Sequence, residues 1–570
     1  MSKKAYCVYS ILLFVLEIPL YAQEIKLDNL KEQFSWKNAF KISGGVSANA
    51  TFYTGDNPAR QNFTWMLSGH INAKLFHVID LPFTCNINNL GGNYTYPSLP
   101  DRFSVHPSYK WITAHVGDIS MSFSPYTLNA HQFTGAGVDI VPKNLPVKLS
   151  LMYGRLLKAT DYDSLKSLGT AAYKRMGYGF KADYEKGNLL FGITMFHAHD
   201  VIRSLKRKPD SLQIYPQSNL ALSMNATLRL LKNLSIQVEN GLSYLTRDIR
   251  LGSTRNSSLW FLDRNASTKK FYAFHVQINY QLLRNTIGIG YERIDPDYRT
   301  LGAYYFTNDL EHLTFNFSRP FWKDKITFSF HIGVEHDNLN KNKVEQTNRW
   351  VGALNLSIAP MESLSVSLNY SNFQSYTHIR SPFESINSAD PYFKGDTLNF
   401  SQLSQHLSTN INYAIGHHES LHQDVHITFS FQEASDECKG DTIKQYPSRF
   451  YNGVCGYTCA LRPLHLRITT SFNLSYQTSG INQSSIYGPG IGLSISLLDN
   501  KMTTGGSVSY NISETDGKIC SQVANLQWNS SLKWWKKHTI TLAFIQQSRY
   551  RKAKGWGSEF TTTCSYSYHF

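Results

Sequence analysis

The sequence predicts an all-β chain: a single large antiparallel transmembrane β-barrel of about 24–26 strands, with short turns at one end and longer loops at the other. Three observations carry that expectation. Apolar and polar residues alternate with a period of two along nearly the whole chain, the side-chain period of a strand. After the first twenty-odd residues no stretch reaches the ~20 apolar residues that a membrane-spanning helix needs. Aromatic residues make up 14% of the 570 residues against 17% charged ones, a balance odd for a water-soluble globule and ordinary where every second residue meets lipid.

The N-terminus gives an address. Lys3 and Lys4 precede an apolar run from Ala5 to Leu20, and Tyr21-Ala22 precedes Gln23, the pattern of a secretory signal peptide over 1–22. Glu17 interrupts the run, which is too short for a membrane anchor. Residues 23–38 read as a short periplasmic segment, too short for a plug domain, ahead of a barrel over 39–570.

The strands follow in order. The first, over Phe40 to Phe52, places Phe40, Ile42, Val46 and Phe52 on one face. Tyr272, Phe274, Val276, Ile278 and Tyr280 oppose Ala273, His275, Gln277 and Asn279; Ile326, Phe328, Phe330, Ile332 and Val334 oppose Thr327, Ser329, His331, Gly333 and Glu335. Leu364, Val366, Leu368 and Tyr370 oppose serines and Asn369, and Leu464 through Tyr476 repeats the split with His465, Arg467 and Asn473 on the polar side. Connectors alternate in length: short at 186–188, 284–285, 323–324, 361–362, 499–500 and 534–538, long at about 159–172, 203–218, 249–268, 338–346, 378–396 and 551–557. Counting gives roughly 25 segments, while such barrels normally have an even number. The irregular stretch 76–145 is where a strand is expected to hide, which favours 26. A solenoid would repeat at a fixed spacing with glycine-rich corners, and no such self-similarity is present.

Candidate chemistry is sparse. GxSxG, P-loop and GxGxxG patterns are absent. One HExxH occurs, from His418 to His422, but it lies between two strand-like runs, where histidines at i and i+4 do not share a helix face. Beyond Cys7 in the leader, Cys85, Cys438, Cys455, Cys459, Cys520 and Cys564 show no CxxC and read as small filler. No catalytic residue, cofactor or metal site is expected, and the enzyme class is set aside. The informative set is polar and inward: His70, Lys74, Arg229, Glu239, His275, Glu292, His331, Glu335, His406, His426, His465 and Arg467 are expected to face the lumen. His197 and His199 instead continue the apolar row of Phe191, Ile193 and Met195 toward the membrane boundary.

The stretch Phe123-Ser-Pro-Tyr-Thr-Leu-Asn-Ala-His-Gln-Phe133 predicts a departure. Pro125 disfavours continued pairing in a central strand, so residues 119–133 are expected to fold inward as a constriction carrying Phe123, Pro125 and Tyr126.

The chain ends TTTCSYSYHF, with Tyr566, Tyr568 and Phe570 on one face. Alternation, leader and terminal aromatic strand together resemble the Gram-negative outer-membrane β-barrel class. That resemblance implies an integral protein of the bacterial outer membrane, exported through the Sec pathway, in which the barrel-assembly machinery reads Tyr566, Tyr568 and Phe570. GDISMSFSPYTLNAHQFTGAGV at 117–138, with MYGRL at 152–156, is also similar to uncharacterised barrels of the Bacteroidetes. The formal net charge is +15. Much of it lies in expected extracellular loops, at Arg203, Lys206, Arg207, Lys208, Lys341, Lys343, Arg549, Arg551, Lys552 and Lys554. Outer-membrane lipid and lipopolysaccharide phosphates are the expected partners there; nucleic acid is not, given the exported address. The expected function is a porin-like or transport conduit with a partly occluded lumen. The alternative is a non-conducting structural or accessory barrel with an envelope protein partner, in secretion, surface attachment or envelope assembly.

Overall fold

The computed structural model describes residues 40–55, 60–76, 78–89, 102–161, 171–205, 214–251, 264–304, 306–341, 348–372, 375–377, 401–416, 420–434, 448–552 and 555–570. The leader, the segment 23–38, Cys438, His418, Glu419, Lys206, Arg207, Lys208, Lys343 and Lys554 lie outside the described residues.

Strong period-two alternation gives strands throughout. They are β1 Phe40–Thr54, β2 Phe63–Leu75, β3 Ile79–Asn88, β4 Arg102–Val105, β5 Ser108–Tyr109, β6 Ile112–Met121, β7 His131–Ile140, β8 Val147–Leu157, β9 Arg175–Lys186 and β10 Leu189–Asp200. Next come β11 Ser218–Leu231, β12 Leu234–Thr246, β13 Thr268–Leu282, β14 Asn285–Ile294, β15 Leu310–Phe321, β16 Ile326–His336, β17 Asn348–Met361, β18 Leu364–Ser371 and β19 Ser375–Thr377. The last are β20 Ser401–Ile415, β21 Leu421–Ala434, β22 Ser448–Leu461, β23 Leu466–Ser479, β24 Asn482–Leu497, β25 Met502–Thr515, β26 Lys518–Trp534, β27 His538–Arg551 and β28 Gly555–His569.

All neighbours in the wall are antiparallel. Both β4 and β5 pair with β3 and with β6, and β19 prolongs β18 along β20. The segments therefore fill 26 positions of one closed barrel. The strand hidden in 76–145 is the interrupted β4–β5. His106-Pro107 breaks it, because proline has no N–H for the ladder.

The barrel closes where β28 meets β1, in register from Gly45 opposite His569 to Thr54 opposite Phe560. Phe570 extends the seam: its N–H donates to the Gly44 carbonyl at 3.1 Å, and the Gly44 N–H returns to the Phe570 carbonyl at 3.2 Å. No unpaired edge is left at the terminal strand, which removes the usual hazard of a free one.

The wall is inside out relative to a soluble protein. On β1, Phe40, Ile42 and Phe52 are exposed while Asn49, Thr51 and Tyr53 on the alternate row are buried. On β23, Phe472 and Leu474 are 49% and 43% exposed and the intervening Asn473 only 3%. Outward Leu, Ile, Phe and Tyr recur on every long strand, so lipid is the solvent that this face fits. Strands about 4.8 Å apart and tilted about 40° give a circular wall of this many strands a backbone diameter of roughly 50 Å, too wide for wall side chains alone to fill.

Short turns gather at one end: 187–188, 232–233, 283–284, 362–363 and 535–537 among them. The opposite end carries the long connections, although Gly480-Ile481 and Asp516-Gly517 there are tight turns. Two placements differ from the sequence reading. His465 does not face the lumen from a strand; it sits in the turn before β23 with φ of 49°, and the strand starts only at Leu466. Arg549 and Arg551 belong to β27 rather than a loop, because β26 and β28 pair with them to the end of the strand.

Candidate functional site

The candidate site is the lumen, and two connections of the long-loop end turn into it. The first joins β6 to β7. Met121 opposite His131 is the last wall pair, so Ser122–Ala130 leaves the wall while residues 119–121 and 131–133 stay in it. The departure is shorter than the sequence suggested because ladder pairing holds both flanks. The Leu128 carbonyl accepts from the N–H groups of Phe123 and Ser124 at 2.8 and 3.3 Å, and Thr127 N–H returns to Ser124 at 3.2 Å. Pro125 occupies the exposed tip of this turn, where its missing N–H costs nothing. Phe123 and Leu128 pack into an apolar cluster with inward side chains of the wall, among them Ile119, Phe133, Met152, Leu156 and Phe196.

The second connection, residues 295–309, joins β14 to β15. Tyr298 and Leu301 are buried, and Thr300 between them donates its hydroxyl to the Thr127 carbonyl at 2.6 Å. Tyr298 Oη donates to the Tyr126 carbonyl at 2.8 Å, and Asn129 N–H donates to the Gly302 carbonyl at 2.9 Å. Leu128 and Gly302 thus form a parallel bridge, close enough that a Cβ on Gly302 would stand 2.6 Å from the Thr127 carbonyl oxygen. The wall grips this connection through its backbone. Ser243 Oγ donates to the Arg299 carbonyl at 2.7 Å, and Leu301 N–H donates to Asn219 Oδ1 at 3.1 Å. Tyr126, Tyr298, Leu245, Phe271, Ile294 and Leu310 make a second apolar cluster, with Phe306 stacked on Tyr298 at 5.0 Å.

Beneath these segments runs a ladder of alternating carboxylates and imidazoles. Glu239 on β12 stands opposite His275 on β13, His275 opposite Glu292 on β14, Glu292 opposite His312 on β15, and His312 opposite Glu335 on β16. His312 Nε2 lies 3.5 Å from Glu292 Oε2. Two of the carboxylates hold the first inward segment. Ser124 Oγ donates to Glu239 Oε1 and Tyr126 Oη to Glu292 Oε1, each at 2.5 Å. Burial, followed by the Glu292 charge, pushes the Tyr126 phenol far above its ordinary value, and burial with Glu239 does the same for Tyr298. Both hydroxyls therefore stay protonated donors.

A second polar row crosses the wall where β4 and β5 are interrupted. Ser104 Oγ meets His106 Nε2 at 3.2 Å, His106 Nδ1 meets His115 Nδ1 at 2.8 Å, and His115 Nε2 meets Asp139 Oδ2 at 2.8 Å. Ser150 Oγ donates to the other Asp139 oxygen at 2.5 Å. Nearer the long-loop end, the partly buried Arg175 makes a two-bond pair with the buried Asp200 at 2.8 and 3.1 Å.

The remaining inward residues are dispersed. His70 faces Gly45 and Thr84 across the ladder, and Lys74 pairs with Asp80 at 3.1 Å. Arg229 stands opposite Ser235, His331 contacts Asn316, His406 lies between Ser371 and Gln432, and Arg467 lies between Ala460 and Ser494. The His426 ring covers Gly456. His197 and His199 sit on the outward row, with His197 4.9 Å from the Tyr178 ring. His422 lies on β21 with Nε2 3.0 Å from Asp424 Oδ2, on a strand rather than the helix its motif needs. Among the described residues no group of three or more His, Cys, Asp and Glu could hold a metal ion.

Sequence reasoning missed the 295–309 connection, His312, and the His106–His115–Asp139 row. Asp295-Pro296-Asp297, a turn signal followed by the aromatic Tyr298, Tyr304 and Phe306, marks the first. The other two depend on cross-strand register, which alternation within one strand does not carry.

Fold and lumen together define a closed antiparallel β-barrel with an apolar outside and a polar inside. No protein-family model and no curated protein matches the chain. Among solved structures it is similar to the P pilus usher PapC translocation pore, at 10% identity over 93% of this chain and 99% of that one, with a TM-score of 0.37. It is also similar to a mutant of the ferric enterobactin receptor PfeA from Pseudomonas aeruginosa in complex with enterobactin, at 11% identity over 93% and 81%, TM-score 0.41. A mutant Rh. blastica porin matches at 12% identity over 55% of this chain and 98% of that one, TM-score 0.25. All three are outer-membrane barrel structures; at such identities and scores no activity passes from them to this chain.

Proposed function

We propose that this chain is an integral barrel of a bacterial outer membrane, exported through the Sec pathway, that conducts hydrophilic solutes through a lumen narrowed by two inward segments. The observation that supports this reading is the asymmetry of the lumen. Contacts of the inward segments fall on β6 to β15, whereas the inner rows of β23 to β25 are mostly half-exposed polar groups with none of these contacts among the described residues. Lipid and lipopolysaccharide phosphates would meet the basic loops, the barrel-assembly machinery would insert the wall, and no reaction is assigned to it.

The depth of the apolar packing favours a second reading. Leu128, Phe196 and Tyr298 are all 0% exposed, as a permanent plug requires, and a sealed barrel would serve as the accessory subunit of an envelope complex. Planar-bilayer recording decides between them. A conduit gives steady single-channel steps, and replacing 122–130 by a two-residue turn raises their amplitude. Silence from both proteins leaves the accessory role.

A further inference from the structure

The two sides of the lumen differ chemically. On β9 to β16 the inner face is charged, with Lys181 beside Asp183, Arg175 on Asp200 and the Glu–His ladder. On β20 to β25 the mid-wall inner face is mostly hydroxyls, amides and glycine, with Val454 and Ile486 as its apolar members. Ser430, Asn452 and Ser475 form one cross-strand row, in which Ser475 donates to Asn452 at 2.8 Å. Ser471, Gly490 and Ser509 form the next, continued by Asn525 on β26. Asp424, with His422 beside it, and Arg467 stand near the short-turn end of this face, and His406 and His426 are the titratable groups farther in. The exposed residues of the first inward segment, Ser122, Pro125, Asn129 and Ala130, are also uncharged.

Asn511 adds an independent observation. It lies on this inner face, 2% exposed, with neither side-chain Nδ2 nor Oδ1 hydrogen-bonded. It stands where Gly488-Pro489 interrupts the β24–β25 ladder. The wall thus holds an unspent donor and acceptor in addition to its row of hydroxyls.

We propose that solutes cross along the β20–β25 side and that this lane admits uncharged, hydroxyl-rich solutes of the saccharide type, a conclusion that rests on the conduit reading. Asn and Ser each offer a donor and an acceptor, so a hydroxylated solute exchanges water hydrogen bonds for wall hydrogen bonds at little net cost. An ion entering the same lane sheds hydration and meets no counter-charge.

The test uses purified full-length protein in liposomes and planar bilayers, with sucrose, a neutral tetrasaccharide and KCl as probes. Swelling in both sugars, with a K⁺/Cl⁻ permeability ratio within about twofold of unity, is the expected result. Ser509→Asp and the isosteric Asn410→Asp should each shift that ratio toward K⁺ by at least about threefold. Asn410 sits half-buried on the inner face of β20 and keeps its shape as aspartate, so its variant remains informative where the other does not assemble. A wild-type channel with strong ion selectivity, or conducting variants with an unchanged ratio, overturns the lane while leaving a conduit. Absence of both swelling and conductance overturns the conduit and the lane together.

Discussion

Tyr126 reaches Glu292 across the lumen: a phenol that left the wall after β6 donates, at 2.5 Å, to a carboxylate 166 residues later on β14. Its neighbour Ser124 makes the equivalent contact with Glu239 on β12, so one short segment is pinned to two strands through two charge-assisted bonds. The donors come from the segment and the acceptors from the wall. Removing a donor therefore leaves a wall carboxylate short of a partner, which costs more than the bond itself contributes.

Tyr126→Phe keeps the ring in its cluster and removes only this donor. Docking of the segment should weaken by about 1–3 kcal/mol. Hydrogen exchange at 122–130 should speed by about tenfold or more, with exchange in β21 to β25 unchanged. Equal protection in both proteins would show that apolar packing alone seats the segment.

Gly241 supplies a steric test of the same docking. A Cβ there would lie 2.6 Å from Tyr126 Cβ, inside any contact that two carbons accept. Gly241→Ala should displace the segment at a cost of about 1–3 kcal/mol and, in the proposed conduit, raise single-channel conductance. Gly453→Ala is the control, because nothing lies within 4 Å of a Cβ at that position. It should be neutral or slightly stabilising, since alanine loses less backbone freedom than glycine on folding.

The wall was legible because its information is local. Whether Phe472 faces out and Asn473 in follows from two adjacent letters, and the rule repeats along the chain. The lumen's contents obey no such rule. Pro125 announced a departure, yet which strands received the segment depends on Glu239, Glu292 and Gly241, more than a hundred residues away. His312 joined the Glu–His ladder through register, and the strand around His106-Pro107 was obscured by its own interruption. His465 failed in the opposite direction: alternation ran on over two residues, Leu464 and His465, of the turn before β23, where the His465 backbone is left-handed.

The outward face gives a prediction that depends on lipid. Ile332 on β16 is 45% exposed between residues of the polar inner row. Ile332→Arg should lower stability in phospholipid vesicles by about 2–4 kcal/mol if the residue lies near the bilayer midplane, read from the urea midpoint of reversible folding. His331→Arg next to it faces the lumen and should cost far less. Similar penalties for the two would mean that the exposed apolar rows meet something other than hydrocarbon.

The seam places one residue apart from the rest of β28. Phe570 trades both backbone hydrogen bonds with Gly44, and its ring lies 5.7 Å from Tyr568 on the same outward row. Deleting it removes the last two bonds that close the barrel but touches nothing in the lumen, where the inward segments lie far along the wall. The expected outcome is slower and less complete insertion into membranes, with the lumen of the protein that does insert unchanged. Normal insertion would show that the remaining β1–β28 pairs, from Gly45 opposite His569 onward, suffice for closure.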